Sequence, residues 1–156
     1  MRFEKFTGAK KRKNISFLCV ALENLTPAGA KWVQEAGNYF SRGMGLNDGF
    51  SRSIAELYFR LHLAGLKPKI TSGFRDPVKQ QTMLDRWNRG DRVGLRHKPA
   101  DPANSKHCYT DFDGTPNACA VDITTTDEKK AAAIARAIGL KAGLDFNDPG
   151  HYEIKT

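Results

Sequence analysis

Two histidines and two aspartates in the second half of the chain have the types and order needed to bind a metal ion and move a proton. His107 ends the run SKH, Asp122 lies within AVDI, and Asp148 and His151 bracket DPGH. Two imidazoles and one carboxylate are sufficient to bind Zn²⁺ in a catalytic mode, which leaves the fourth position for water. Asp148 would lie near that water without ligating the ion and could accept its proton. These residues therefore indicate metal-assisted hydrolysis.

The segments that carry these residues are expected to hold them rigidly. Pro149 and Gly150 exclude a helix between Asp148 and His151, so a tight turn should deliver the chain into the strand-like run HYEIK. Asp122 lies in CAVDITTT, which predicts a strand. Because aspartate is disfavoured within strands, its side chain is expected to have a partner. The two segments would then share a cleft.

The remaining pattern predicts the elements that surround this cleft. Thr26 caps a first helix with Pro27 in its first turn, and Ser51 or Ser53 opens a second helix that Gly65 ends. The order of elements predicts an α+β fold, with a small, mainly antiparallel sheet and helices packed on one side. The expected elements are a buried strand over 15–22, helices over 27–42, 51–65, 76–88 and 128–138, strands over 67–73, 119–126 and 151–155, and a strand or turn over 140–146.

Length and charge limit the classes of protein that fit. A chain of 156 residues predicts a single domain, and no apolar run approaches a membrane span. The run ISFLCVAL near the N-terminus is short, so it is interpreted as the strand over 15–22 rather than as part of a signal peptide. The net charge is +8, but apart from Lys10–Lys13 the basic residues are scattered and do not alternate with aromatic residues. No specific nucleic-acid partner is therefore expected.

The order of four motifs resembles a known enzyme family. TSGFRD, SKH, AVDI and DPGHYE follow one another within residues 66–155. This arrangement is similar to the zinc peptidases of the D-alanyl-D-alanine carboxypeptidase and dipeptidase type, which include phage endolysins that cleave L-alanyl-D-glutamate bonds. The resemblance implies a hedgehog/D-Ala-D-Ala peptidase-like fold. It also implies a peptidase core over 51–156, preceded by an N-terminal extension over 1–50 that comprises a strand and a helix.

The resemblance assigns a role to each matching residue. It implies that His107, Asp122 and His151 are the zinc ligands and that Asp148 is the general base and acid. Arg75 would hold a substrate carbonyl or carboxylate, for which the paired donors of a guanidinium are suited. The resemblance also implies that Ser105, Gln80 and Gln81 bind or orient the substrate.

One departure from the family pattern concerns the segment between the first histidine and the aspartate. The family places these ligands closer together, whereas 15 positions separate His107 from Asp122. Residues 108–119 are interpreted as an inserted hairpin with its turn at Asp113-Gly114. Cys108 and Cys119 at its ends form either a disulfide or two free thiols. Asp111 or Asp113 is an alternative carboxylate ligand, although Asp122 is preferred because a strand holds a ligand better than a loop tip.

The leading functional expectation is a zinc metallopeptidase that acts on peptidoglycan stem peptides. Small size and basic charge favour a phage endolysin or a virion-associated cell-wall hydrolase, which would act in the host cytoplasm and then in the periplasm or cell wall, or from the virion. Positive charge would assist approach to an anionic envelope. The alternative is a structural phage tail or baseplate component, in which the peptidase fold serves as an assembly module that contacts other tail proteins.

Overall fold

The computed structural model describes residues 26–155. The strand expected over 15–22, the basic run Lys10–Lys13 and Cys19 lie outside the described residues. Within residues 26–155, no helix is both long and apolar enough to cross a membrane.

Two helices form the first half of the described chain. Helix α1 spans Pro27–Met44 and helix α2 spans Asp48–Leu63. The predicted cap of α1 is confirmed, because the Thr26 hydroxyl accepts a hydrogen bond from the Gly29 amide at 3.2 Å. The predicted start of α2 at Ser51 or Ser53 is wrong. The Asn47 side chain caps this helix instead, because it accepts hydrogen bonds from the amides of residues 49 and 50 at 3.0 and 3.1 Å.

Helices α1 and α2 pack against each other and belong to one hydrophobic core. The Trp32 and Phe59 rings have centroids 5.4 Å apart, and the Phe40 and Tyr58 rings have centroids 6.1 Å apart. Ile54, like its neighbours on the buried face of α2, has no exposed surface. The boundary expected between residues 50 and 51 therefore falls inside α2, and α1 contributes to the same core as the predicted peptidase region.

Two further helices agree with the predictions. Helix α3 spans Pro77–Asn88. Asp76 caps its N-terminus, because the Asp76 carboxylate accepts a hydrogen bond from the Val78 amide at 2.7 Å. Helix α4 spans Glu128–Ala137 and is capped by Asp127. Gln80 is the only buried residue of α3, so this helix contributes little apolar surface to the core, whereas α4 contributes alanines and an isoleucine.

Within the described part of the chain, four strands form one antiparallel sheet, which confirms the α+β class. The strands are β1 (Lys69–Ser72), β2 (Ala120–Thr124), β3 (Leu140–Ala142) and β4 (His151–Ile154). Their order across the sheet is β1-β2-β4-β3, and each neighbouring pair is antiparallel.

The pleat of the sheet separates apolar from polar side chains. Alternate residues of a strand point to opposite faces. Val121 and Tyr152 are paired across β2 and β4, and both belong to the hydrophobic core with residues of α1, α2 and α4. Asp122 and His151 are the next pair, so they lie on the other face. The helices of the core therefore cover one face, and the polar site lies on the opposite face.

The inserted segment over 108–119 folds back on itself as a short, irregular antiparallel hairpin. One β-bridge joins Thr110 to Pro116, and the Asp111 amide donates to the Thr115 carbonyl at 2.9 Å. Gly114 has a φ of 83°, which a turn at this point requires and which glycine adopts without strain. The turn predicted at Asp113-Gly114 is confirmed, and the pairing continues beyond the bridge, where the Asn117 amide donates to the Tyr109 carbonyl at 2.8 Å.

Candidate metal centre

His107 is held by a backbone carbonyl behind it. It lies in a 3₁₀ turn, Lys106–Cys108, and is 4% exposed. Its Nδ1 lies 2.8 Å from the Gly73 carbonyl oxygen. Because a carbonyl only accepts hydrogen bonds, Nδ1 must carry the proton, and the neutral ring then presents the lone pair of Nε2 to the cleft.

His151 is oriented in the same manner by Glu153, which lies two residues further along β4. The His151 Nε2 lies 3.1 Å from Glu153 Oε2. Lys106 and Lys141 also contact this carboxylate at 3.1 and 2.9 Å. The hydrogen bond with His151 is the main reason that the pKa of Glu153 is lowered to about 2, so its carboxylate is ionised and can only accept. When its ring is neutral, His151 therefore presents the lone pair of Nδ1 to the cleft.

Asp122 supplies an oxygen between the two imidazoles. Its Oδ1 lies 3.3 Å from His107 Nε2 and 3.2 Å from His151 Nδ1. Its Oδ2 accepts a hydrogen bond from Arg75 at 3.1 Å. Asp122 therefore has the partners that were expected for an aspartate within a strand. Its Oδ1 is directed toward the two histidines, and its Oδ2 is held by Arg75.

The three ligand atoms of His107, Asp122 and His151, here called the metal-ligand triad, could hold a metal ion. They lie within 4.8 Å of one another, and His107 Nε2 is 3.3 Å from His151 Nδ1. With both imidazoles neutral, the two rings and the carboxylate present lone pairs to the same point, so a cation at that point stabilises all three.

The contacts within the triad shift the pKa values of both Asp122 and His151. Burial alone would lower the pKa of His151, but hydrogen bonds with Asp122 and Glu153 outweigh burial and raise it to about 9. Burial alone would raise the pKa of Asp122, yet hydrogen bonds with the two histidines hold it well below its usual range. Both shifts favour positive charge at the triad, so His151 holds a proton at neutral pH that a bound metal ion would displace.

Asp148 lies beside the triad without being part of it. Its Oδ2 is 3.7 Å from His151 Nδ1, and burial raises the pKa of its carboxyl group. The turn that carries it depends on Gly143, because a Cβ there would lie 2.0 Å from the Asp148 carbonyl oxygen. The Asp148 amide donates to the Gly143 carbonyl at 2.8 Å. Asp148 is thus fixed beside the triad as a carboxylate that can accept a proton.

Arg75 supports Asp122 and also lines the cleft. Its Nη1 donates to Gln80 Oε1 at 2.7 Å, and its Nη2 donates to Ser72 Oγ at 3.0 Å as well as to Asp122. A guanidinium has five N–H donors, so these bonds leave two for a ligand. Gln80 is 2% exposed, and its amide nitrogen donates to the Ala100 carbonyl at 2.8 Å. Gln80 therefore positions Arg75, although it also borders the cleft.

Of the other residues that the sequence proposed for the site, some line the cleft and others do not. Ser105 is buried and lines the cleft beside His107. Gln81 is exposed, donates to Asp85 and does not line the cleft, so the expectation that it contacts a substrate there is not supported. Asp111 and Asp113 are exposed in the inserted loop and are not members of the triad, so Asp122 is the carboxylate that joins the histidines.

The two cysteines at the ends of the inserted loop are free thiols. Cys108 is buried, and burial raises the pKa of its thiol despite a hydrogen bond with Ser105. The Cys119 thiol is directed to the Asn117 carbonyl oxygen at 3.7 Å. No disulfide joins Cys108 and Cys119 in this structure. The base of the loop is closed instead by the backbone, since the Cys119 amide donates to the Lys106 carbonyl at 2.9 Å.

The cleft around the triad has a volume of about 770 Å³ and is bordered by a segment that sequence reasoning assigned no role. Residues 94–100, here called the rim loop, all line the cleft. Within this loop His97 Nε2 lies 3.3 Å from Asp148 Oδ2. The only sequence signal for this loop was its unusual length between α3 and the SKH motif.

Comparison with known proteins does not assign the chain to a family, so a functional conclusion rests on the geometry of the site. No protein-family model and no curated protein matches the chain.

Proposed function

We propose that the chain is a zinc-dependent peptidase that cleaves peptidoglycan stem peptides. The observation that carries the proposal is the spacing of the three ligand atoms, which are 3.2, 3.3 and 3.3 Å apart. Tetrahedral Zn²⁺ with bonds of about 2.0–2.1 Å separates its ligand atoms by about 3.3 Å. Two nitrogens and one oxygen are also the donor set of catalytic zinc sites, which keep one position open.

Each residue of the centre has a role in this proposal. His107, Asp122 and His151 hold the ion, and Gly73 and Glu153 fix the two rings so that the correct nitrogens face it. Bound zinc supplies Lewis-acid polarisation of a carbonyl and a nucleophile derived from water at neutral pH. Asp148 takes a proton at Oδ2 and returns it to the leaving amine. Its raised pKa suits this exchange, because a base is most effective when its pKa is closer to the working pH.

Arg75 has two functions in the proposed site. It fixes Oδ2 of Asp122, so that Oδ1 is left for the ion. Its two remaining N–H groups are available to a substrate carbonyl or carboxylate at the cleft wall.

The proposed substrate class has support from the motifs and from the shape of the cleft. TSGFRD, SKH, AVDI and DPGHYE occur in the order typical of peptidases that act on stem peptides. The four-stranded sheet, with ligands from β2, β4 and the 3₁₀ turn, agrees with the hedgehog/D-Ala-D-Ala peptidase-like architecture that we propose. A cleft of about 770 Å³ is large enough for several peptide residues. The basic charge favours action at an anionic cell envelope, as in a phage endolysin or a virion-associated hydrolase.

The test is release of soluble muropeptides from purified peptidoglycan, identified by mass spectrometry. We expect release by the zinc-loaded protein, loss of release after chelation, and recovery when Zn²⁺ is restored. Asp148→Asn should lower the rate by about 10²–10⁴-fold without loss of zinc. Asp145→Asn is the matched control, because Asp145 lies three residues away in an exposed pair with Arg136 and outside the cleft. An Asp148→Asn variant as fast as the parent would disprove the mechanism.

A further inference from the structure

Two cations on the rim loop have no carboxylate partner within residues 26–155. Arg96 and Lys98 are exposed, line the cleft, and form no salt bridge with any described acidic residue. The other cations of the cleft are engaged. Arg75 binds Asp122, and Lys106 binds Glu153 and the Ile154 carbonyl. The rim loop therefore supplies the positive charge of the cleft that no carboxylate of residues 26–155 neutralises.

The rim loop is held in place beside the triad. His97 lies between the two cations in sequence and contacts Asp148 at 3.3 Å. The Ala100 carbonyl accepts from Gln80, and Pro99 is buried. Because consecutive Cα atoms are about 3.8 Å apart, Arg96 and Lys98 both begin within one residue of the contact with Asp148. The backbone that carries the two cations thus lies beside the metal centre, and both side chains border the same cleft as the triad.

We propose that Arg96 and Lys98 form a carboxylate-binding subsite that selects acidic peptides. This inference rests on the proposed function, because it takes the substrate to be a stem peptide with its scissile carbonyl at the triad. A carboxylate on a neighbouring residue of the substrate pairs with the two rim cations. The arginine fork and the lysine ammonium give charge-assisted hydrogen bonds that a neutral amide does not match.

The test measures equilibrium binding, so it does not depend on turnover. The zinc-loaded Asp148→Asn protein is titrated calorimetrically with the tripeptide L-alanyl-γ-D-glutamyl-L-lysine and with the same peptide carrying amides in place of its carboxylates. We expect Arg96→Gln with Lys98→Gln to weaken binding of the acidic peptide by about tenfold or more. Amidation should weaken binding to the unaltered rim by a similar factor and should have little effect on the double variant.

Lys79→Gln with Lys129→Gln is the matched control. Both lysines are exposed and lie outside the cleft, and the double variant removes the same two positive charges as the rim variant. The control should bind the acidic peptide within about twofold of the unaltered rim. Equal loss in the control, unchanged binding by the rim variant, or no measurable binding of the acidic peptide would overturn the subsite. Muropeptide release by the parent is assayed separately. If the parent releases no muropeptides but its binding of the acidic peptide still depends on Arg96 and Lys98, the proposed peptidase activity is rejected and the carboxylate subsite is kept.

Discussion

Asp122 on β2 and His151 on β4 are directly opposite residues of neighbouring antiparallel strands, and Asp122 Oδ1 lies 3.2 Å from His151 Nδ1. Side chains at opposite positions share one face of the sheet and have Cβ atoms about 4.5–5.5 Å apart. A shift of one residue in register would move Asp122 to the apolar face. The same pairing that buries Val121 and Tyr152 in the core therefore brings two ligand atoms together.

Zinc should stabilise the protein through this pair and His107. At a free concentration of about 100 times its Kd, Zn²⁺ should stabilise the folded state by about 2.7 kcal/mol, which corresponds to a rise in Tm of roughly 5–10 °C. His107→Ala and His151→Ala should abolish most of this rise, because each removes one of three ligands. His62→Ala is the control, since His62 is exposed on α2. If zinc raises Tm equally in all three variants, the ion binds elsewhere.

The sequence predicted the triad because strand alternation and turn chemistry are local properties. Asp122 within AVDI and His151 after a Pro-Gly turn could be identified from residue types alone. Glu153 was missed, although the period of a strand places it on the same face as His151, two residues away. The Gly73 carbonyl that fixes His107 could not be identified, because any residue supplies a carbonyl.

The rim loop shows why other parts of the site were not predictable. Residues 94–100 have no periodic pattern, and their position depends on contacts distant in sequence, namely Gln80 to Ala100 and His97 to Asp148. The start of α2 was also misplaced, because serines within the helix and Asn47 before it are all good caps and local sequence does not rank them. Tertiary contacts decide both cases.

Removal of the charge on Glu153 should weaken metal binding without unfolding the protein. Glu153→Gln keeps an oxygen for His151 Nε2, but the loss of the carboxylate makes the imidazole a poorer ligand. We expect zinc affinity to fall about tenfold, and about 100-fold in Glu153→Ala, which removes the acceptor entirely. Competition with a chromophoric chelator measures this affinity. Glu35→Gln, at an exposed position on α1, should not change it, and unaltered affinity in Glu153→Ala would exclude an orienting role.

Gly143→Ala should disrupt the turn that carries Asp148 and His151. The new Cβ would lie 2.0 Å from the Asp148 carbonyl oxygen and 2.7 Å from the His151 Cβ, so the backbone must move. We expect a loss of at least about 1–3 kcal/mol in the free energy of unfolding, together with weaker zinc binding. Gly43→Ala is the control near the end of α1, where the nearest atom is a Tyr39 ring carbon at 3.6 Å. It should stabilise the protein by about 0.5 kcal/mol, because alanine is the better helix former. Equal stability of the two variants in urea would contradict the packing.

Adjacent glutamines on α3 should differ sharply in their effect on stability. Gln80→Met removes the bonds to Arg75 and to the Ala100 carbonyl, so one N–H of Arg75 and the Ala100 carbonyl lose their partner. This loss should cost about 1–3 kcal/mol in the free energy of unfolding. It should also speed hydrogen exchange of the rim-loop amides, since the loop loses its link to α3. Gln81→Met removes only an exposed contact with Asp85, so it should change the free energy by less than about 0.5 kcal/mol. Urea denaturation and exchange mass spectrometry of the pair measure the two effects. If Gln80→Met left exchange in the rim loop unchanged, the bond from Gln80 to the Ala100 carbonyl would not hold the loop, and His97 and the loop's own backbone would have to do so.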